Sequence, residues 1–284
     1  MIKILVTGGN GQLAQCLKDV VINDNELNVD FQDLPVLDIT NKQQLESYFS
    51  KNELDYCINC AAYTAVDLAE EQSDLAYAVN AEGPKNLAEV CKKYQVKLLH
   101  ISTDFVFDGK KQTPYIETDM PNPLGVYGVS KWQGERYIQG AMQDYFIIRT
   151  SWLYSEYGNN FMKTMLRLSE TRDEISVVSD QIGAPTYAGD LAEVLIKIIL
   201  SSSTNYGIYH YSNSGAISWY DFAVEIFKQF GKKIYVKPIK TEDYTTAAKR
   251  PEYSVLDFNK TKNTFQISTT NWLPVLKKTI NQID

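Results

Sequence analysis

Val6-Thr7-Gly8-Gly9-Asn10-Gly11-Gln12-Leu13-Ala14 decides the fold, because it joins an apolar strand at residues 2–7 to an amphipathic helix at residues 13–21. Glycines at such a junction let the backbone turn tightly and approach a pyrophosphate, whose charge the helix N-terminus stabilises. The run fits both G-x-x-G-x-x-A and G-x-G-x-x-A. Gly8, Gly11, Gln12 and Leu13 are therefore the candidate contacts to a dinucleotide, and strand before with helix after favours that reading over a mere tight turn.

Outward from this loop, the first half alternates apolar runs with amphipathic ones, the pattern of a parallel sheet covered on both faces. Strands are expected at 2–7, 27–31, 56–60, 97–102 and 146–149, and helices at 13–21, 42–50, 73–94 and 130–141. After Arg149 the pattern loosens, and a helix at 191–200 with a strand at 207–211 marks a return to the sheet. The expected fold class is α/β, a Rossmann-type doubly wound parallel sheet with a smaller C-terminal substrate-binding domain. Residues 1–150 and 188–212 would form the dinucleotide-binding domain, and 151–187 with 213–284 the substrate-binding one. Ligands of such sheets sit beyond the carboxyl ends of the strands.

The chain is long enough for a full core, at 284 residues and 32.3 kDa. A net charge of −7 without a basic stripe excludes a nucleic-acid partner. The apolar stretch 191–200 is short and broken by Glu193 and Lys197, and the opening strand runs straight into the glycine loop, so neither a membrane span nor a signal peptide is expected. That implies a cytoplasmic protein. Cys57 and Cys60 form a C-x-x-C, but on a strand residues three apart point to opposite faces, and no second Cys or His pair completes a metal site. His100 and His210 stand in separate strand-like segments, without support for a catalytic triad.

Tyr127-Gly128-Val129-Ser130-Lys131 places a phenol and an ammonium four residues apart, on one face of a helix. With 19 Tyr in the chain such a pair arises by chance, but about 120 residues after a dinucleotide loop it reads as the proton-donor pair of a nicotinamide-dependent reductase. Ser102-Thr103-Asp104 follows a strand, so its hydroxyls fall at the ligand-binding edge, where one can hydrogen-bond a substrate carbonyl. Asp30, Asp33 and Asp38 all lie near the position where an acid holds the ribose 2′-hydroxyl of NAD. No Arg stands there to take a 2′-phosphate, which leans toward NADH while leaving NADPH open.

These residues resemble the extended short-chain dehydrogenase/reductase family and, within it, the dTDP-4-dehydrorhamnose reductases. The closer likeness rests on Leu37-Asp38-Ile39-Thr40, Ala61-Ala62-Tyr63-Thr64-Ala65-Val66-Asp67, Ser102-Thr103-Asp104-Phe105-Val106-Phe107-Asp108-Gly109 and Arg149-Thr150-Ser151-Trp152-Leu153-Tyr154. Asn160-Phe161, Asp180-Gln181-Ile182-Gly183-Ala184-Pro185-Thr186 and Lys249-Arg250-Pro251 extend it along nearly the whole chain.

The resemblance implies reduction of the 4-keto group of a dTDP-sugar, dTDP-4-dehydro-β-L-rhamnose, by NADPH or NADH. It implies that Thr103, Tyr127 and Lys131 are catalytic, with Tyr127 the general acid, Lys131 lowering its pKa and holding the nicotinamide ribose, and Thr103 on the sugar carbonyl. Asp38, Ile39, Ala61, Ala62 and Tyr63 would join the glycine loop, Tyr127 and Lys131 around the cofactor. Thr103, Asp104, Trp152 and Arg250 would hold the sugar nucleotide. Cys16 stands where some members place a Glu that helps bind Mg²⁺ at a dimer interface, so no metal and a monomer or weak homodimer are expected. Other nucleotide-sugar reductases or epimerases share the loop and the Tyr/Lys pair. The family also resembles the regulatory beta subunit of methionine adenosyltransferase, which would make the chain a non-catalytic binding subunit.

Overall fold

The computed structural model describes residues 1–280; residues 281–284, the end of the segment expected at 213–284, lie outside the described residues. The chain runs β1 (Ile2–Thr7), α1 (Gln12–Val21), β2 (Leu27–Gln32), α2 (Lys42–Lys51), β3 (Tyr56–Asn59), α3 (Val66–Glu71), α4 (Ser73–Tyr77), a π-helical turn (Ala78–Glu82), α5 (Gly83–Tyr94), β4 (Lys97–Thr103), α6 (Val126–Ala141) and β5 (Tyr145–Thr150). Then come β6 (Leu153–Tyr154), α7 (Phe161–Leu168), β7 (Glu174–Val178), β8 (Ile182–Gly183), β9 (Thr186–Tyr187), α8 (Ala188–Leu200) and β10 (Gly207–His210). The last stretch holds β11 (Ile217–Ser218), α9 (Trp219–Gln229), β12 (Tyr235–Ile239), α10 (Asn259–Phe265) and α11 (Trp272–Ile280).

Six strands form one sheet in the order β10-β5-β4-β3-β1-β2, every neighbouring pair parallel. The order reverses between β1 and β3, so the loops after these two strands diverge and leave a crevice, the usual ligand position in such sheets. Central strands are buried on both faces and hence continuously apolar. Ile4, Val6, Ile58, Leu99 and Ile148 pack one face against α1 and α8, while Leu5, Cys57, Leu98 and Ile147 pack the other against α2, α5 and Ile138 of α6. Cys57 and Cys60 accordingly fall on opposite sides.

The chain does return to the sheet after leaving it: α8 covers α1's face and β10 pairs with β5 from Gly207 opposite Phe146. A third apolar cluster, including Tyr154, Met162, Phe222, Ile226 and Trp272, gathers α7, α9 and α11. The parallel pair β7–β12, not expected from the sequence, lies against α9.

Two helices differ from expectation. The stretch 73–94 is not one helix: Pro84 has no N–H to give the carbonyl four residues back, and the chain widens into the π-helical turn before α5 begins. Asn80 in that turn is tied instead to Tyr63, whose N–H it accepts at 2.9 Å and whose carbonyl it meets at 3.0 Å, and it donates to the Ser130 hydroxyl. The second difference is α6, which starts at Val126 rather than 130, because Glu70 of α3 accepts the Val126 N–H at 2.9 Å. Tyr127 thereby enters the first helical turn. Among the described residues no helix is long and apolar enough to cross a membrane.

Candidate active site

A cavity of about 650 Å³ opens at the carboxyl edge of the sheet. Its lining includes Asn10 to Leu13, Thr103, Asp104, Tyr127, Lys131, Trp152 and Arg250.

The glycine loop has the shape of an anion cradle. Gly8 takes φ +68°, and a Cβ there would lie 2.6 Å from the Ala61 nitrogen, so neither the conformation nor the space admits a side chain. Gly11 N–H closes the loop on the Gly8 carbonyl at 2.9 Å. No side chain caps α1 and no acid stands in its first turn, leaving its leading N–H groups and dipole for an external anion. A pyrophosphate fits these donors.

Only one of the three candidate ribose acids stands at this loop. Asp33 accepts the Asn10 N–H at 2.9 Å and the Leu34 N–H at 2.8 Å. Asp30 does not stand at this loop: it sits mid-strand opposite Leu5, takes hydrogen bonds from Gln32 and Tyr48, and lines a different cavity with Lys3 and Asn28. Asp38 Oδ1 accepts both the N–H and hydroxyl of Thr40 at 2.8 Å.

Tyr127 and Lys131 share the inner face of α6, as their spacing dictates. Phe105 supports the phenol edge-on at 5.5 Å between ring centroids. Burial pushes the Tyr127 phenol up to about 12, the Asp104 charge adds to the shift, and the Thr103 hydroxyl opposes it. The net shift is upward and set by burial, where the resemblance implies a lowering by Lys131. The Lys131 ammonium donates to the Ile101 carbonyl at 2.6 Å, and burial brings it down to about 8, with Glu135 and Cys60 pulling the other way.

One helical turn beyond, Glu135 is buried in a bidentate pair with Arg149, at 2.9 and 2.7 Å, and takes the Ser102 hydroxyl at 2.5 Å. That network braces β4, β5 and α6 beneath the cavity. Asp104 is 2 % exposed, and its burial raises it to about 6 against the Ser254 and Thr103 hydroxyls. The Thr103 hydroxyl donates to Asp104 Oδ1 at 3.1 Å, whereas Oδ2 is buried without a hydrogen bond of good geometry. An unsatisfied carboxylate oxygen beside a cavity is a ready acceptor for a ligand hydroxyl.

Trp152 lines the cavity, but the Trp219 ring stacks on it, centroids 3.5 Å apart and 9° between planes. Arg250 reaches the cavity while gripping Asp67 of α3 with two nitrogens, at 3.1 and 2.6 Å, and these hydrogen bonds hold the Asp67 carboxyl below the usual range.

Of the residues singled out from the sequence, Gly11, Gln12, Leu13, Ala62, Thr103, Asp104, Tyr127, Lys131, Trp152 and Arg250 meet around this one space. Gly8, Asp38, Ile39, Ala61 and Tyr63 do not line it: Gly8 and Ala61 pack backbone to backbone behind the loop, and Tyr63 is bound to Asn80 and Gln72. Asn10, Phe161 and Trp219 also line it without having been singled out one by one in the sequence, and the same holds for Glu135 behind Ser102. The Ser218-x-x-Asp221 capping signature could have marked Trp219 as a helix-start residue, but not what it touches.

The family model described as RmlD substrate binding domain matches residues 2–284. A dTDP-4-dehydrorhamnose reductase of Aggregatibacter actinomycetemcomitans is 45% identical over 287 residues, covering 98% of this chain and 98% of that protein. The crystal structure of a dTDP-4-dehydrorhamnose reductase from Clostridium acetobutylicum is similar with a TM-score of 0.95 at 44% identity, covering 99% of each chain. A Bacillus anthracis dTDP-4-dehydrorhamnose reductase in complex with NADP is similar with a TM-score of 0.95 at 42% identity, covering 99% of this chain and 100% of that one.

Proposed function

The chain belongs to the family described as RmlD substrate binding domain, and from that membership we propose that it reduces the 4-keto group of dTDP-4-dehydro-β-L-rhamnose to dTDP-L-rhamnose with NADPH or NADH. The observation that carries the reading is the convergence of Thr103, Tyr127 and Lys131 with an uncapped glycine-loop helix on a single cavity.

The reduced nicotinamide supplies the hydride when bound. Gly11, Gln12 and Leu13 hold its pyrophosphate, with the loops carrying Asp38, Ile39 and Ala61 to Tyr63 shaping the pocket behind. Thr103 turns its hydroxyl from Asp104 to the substrate carbonyl oxygen, which becomes an alkoxide as hydride adds to carbon. Tyr127, kept neutral by burial, gives its proton to that oxygen and is left as phenolate. Lys131 lies one turn away, its positive charge stabilising the phenolate and its N–H groups available to ribose hydroxyls. Asp104, Trp152 and Arg250 hold the sugar nucleotide.

In this reading residues 1–150 and 188–212 bind the dinucleotide and 151–187 with 213–284 the sugar nucleotide. A cytoplasmic monomer or weak homodimer is the form implied, checked by sedimentation. NADP in the Bacillus anthracis relative supports NADPH as one cofactor; Asp33 beside the loop supports NADH as another. The deciding assay mixes purified protein, the 4-keto sugar nucleotide and either cofactor while absorbance near roughly 340 nm, the reduced nicotinamide band, is followed. Cofactor that binds but is never oxidised in the presence of the sugar would overturn the assignment.

A further inference from the structure

Trp152 carries a backbone that its side chain does not favour. Its φ of +45° lies in the left-handed region, rare for a bulky residue, so the surrounding structure must impose it. Two neighbouring contacts fix that backbone: the Trp152 carbonyl accepts the Thr186 N–H at 3.1 Å, and the Ser151 hydroxyl donates to the Ala184 carbonyl at 2.8 Å.

The indole is fixed from two further sides. Trp219 stacks on it in near-parallel contact, and at Gly183 a Cβ would fall 2.4 Å from the indole Cε2 and 2.6 Å from its Nε1. Gly183 and Trp219 come from one small assembly. β8 and β11 pair with Gly183 opposite Ile217, and Ser218 then starts α9 through a reciprocal capping box with Asp221, so Trp219 stands at the first helical position. Phe161 backs Trp219 at 4.6 Å and stacks in turn on buried Phe222, which carries the aromatic ladder into the C-terminal core.

We propose that Trp219 and Gly183 are positioning residues for substrate: together they clamp the Trp152 indole between them in one orientation, so that the part of the ring left open to the cavity meets the sugar in a single geometry. The inference rests on the reduction proposed above. A ring with free rotamers would lose entropy at each binding event, whereas a stacked ring bounded by a glycine is already ordered. The strained backbone is then the means by which the indole, attached just past β5, is turned onto its two supports.

The experiment compares wild type with Trp219→Leu, Trp219→Phe and Gly183→Ala. Cofactor affinity by nicotinamide fluorescence reports on the fold, and the exciton couplet of stacked indoles in circular dichroism reports on the pair. With Trp219→Leu the couplet should vanish and KM for the sugar nucleotide rise about 3- to 10-fold, the scale of a lost aromatic pair, with the loss in KM rather than kcat. Trp219→Phe should recover most of that KM, because a flat ring is restored. Gly183→Ala should shift the couplet and raise KM without touching Trp219. An unchanged KM in Trp219→Leu, or a Phe variant no better than the Leu one, overturns the proposal; if Trp219→Leu does not fold, an unchanged couplet and KM in Gly183→Ala do the same. Wild-type protein inactive on the sugar would fail the parent reading instead, a result visible before any variant is made.

Discussion

Tyr127 can act as an acid across the physiological range because burial keeps its proton on, at about 12. Tyr127→Phe removes that proton and little else, so kcat should fall by about 10² to 10⁴ fold with cofactor affinity nearly intact; wild-type turnover in this variant would remove Tyr127 from the mechanism. Lys131 sets the alkaline limit. Its ammonium is lost as pH rises through about 8, so kcat/KM, which follows the free enzyme, should decline above that pH, and a profile flat to pH 9.5 or so would contradict it. Asp104 works in the opposite sense on stability. Its carboxyl, raised to about 6, favours the fold fully below the unfolded value near 4 and loses that favour as pH rises through 6, a penalty of about 2 to 3 kcal/mol at neutral pH. Asp104→Asn should therefore melt above wild type at pH 7, the gain shrinking toward pH 5, while sugar affinity drops. Thermal scans at both values check it.

At the scale of elements, the parts legible in the sequence were those whose cause is local. The glycine loop, α1, β1 and the Tyr127–Lys131 face follow from spacing and periodicity alone, and each stands where that reasoning put it. What escaped depended on partners far along the chain. The π-helical turn is tied to Tyr63 through Asn80, the start of α6 to Glu70, and the Asp30 carboxylate to Tyr48. Trp219, 67 residues beyond Trp152, stacks on it through a fold-level contact that no window of sequence contains. The loop itself gives the sharpest element-scale expectation. A Cβ at Gly8 would collide with backbone at Ala61 and at Cys60, which cannot yield as a side chain tip would. Gly8→Ala should weaken cofactor binding at least about tenfold and lower stability by more than about 1 kcal/mol; unaltered cofactor affinity by fluorescence titration would show that the loop is not the cradle.

For the whole molecule the question is whether the sheet and the C-terminal cap behave as one body or two. The chain crosses between them more than once: it leaves the sheet after β5, returns as α8 and β10, and leaves again. Phe265 and Ile267, late in the sequence, pack with the cluster formed by α1 and α8, so the cap is stitched into the sheet's own core. Arg250 adds a clasp to Asp67 of α3. Shared apolar packing of this kind makes separate unfolding of either part expose the other, and a single cooperative transition is expected. Cofactor contacts only one side of the crevice in the proposed reading, yet its binding energy should then stabilise both. At a free concentration of 100 Kd the stabilisation is about 2.7 kcal/mol, which for a chain of this size raises the midpoint by about 4 to 5 °C. Calorimetry with and without NADPH decides it: one peak moving as a whole supports a single body, whereas a split trace in which only one component follows the cofactor would show that the cap unfolds on its own.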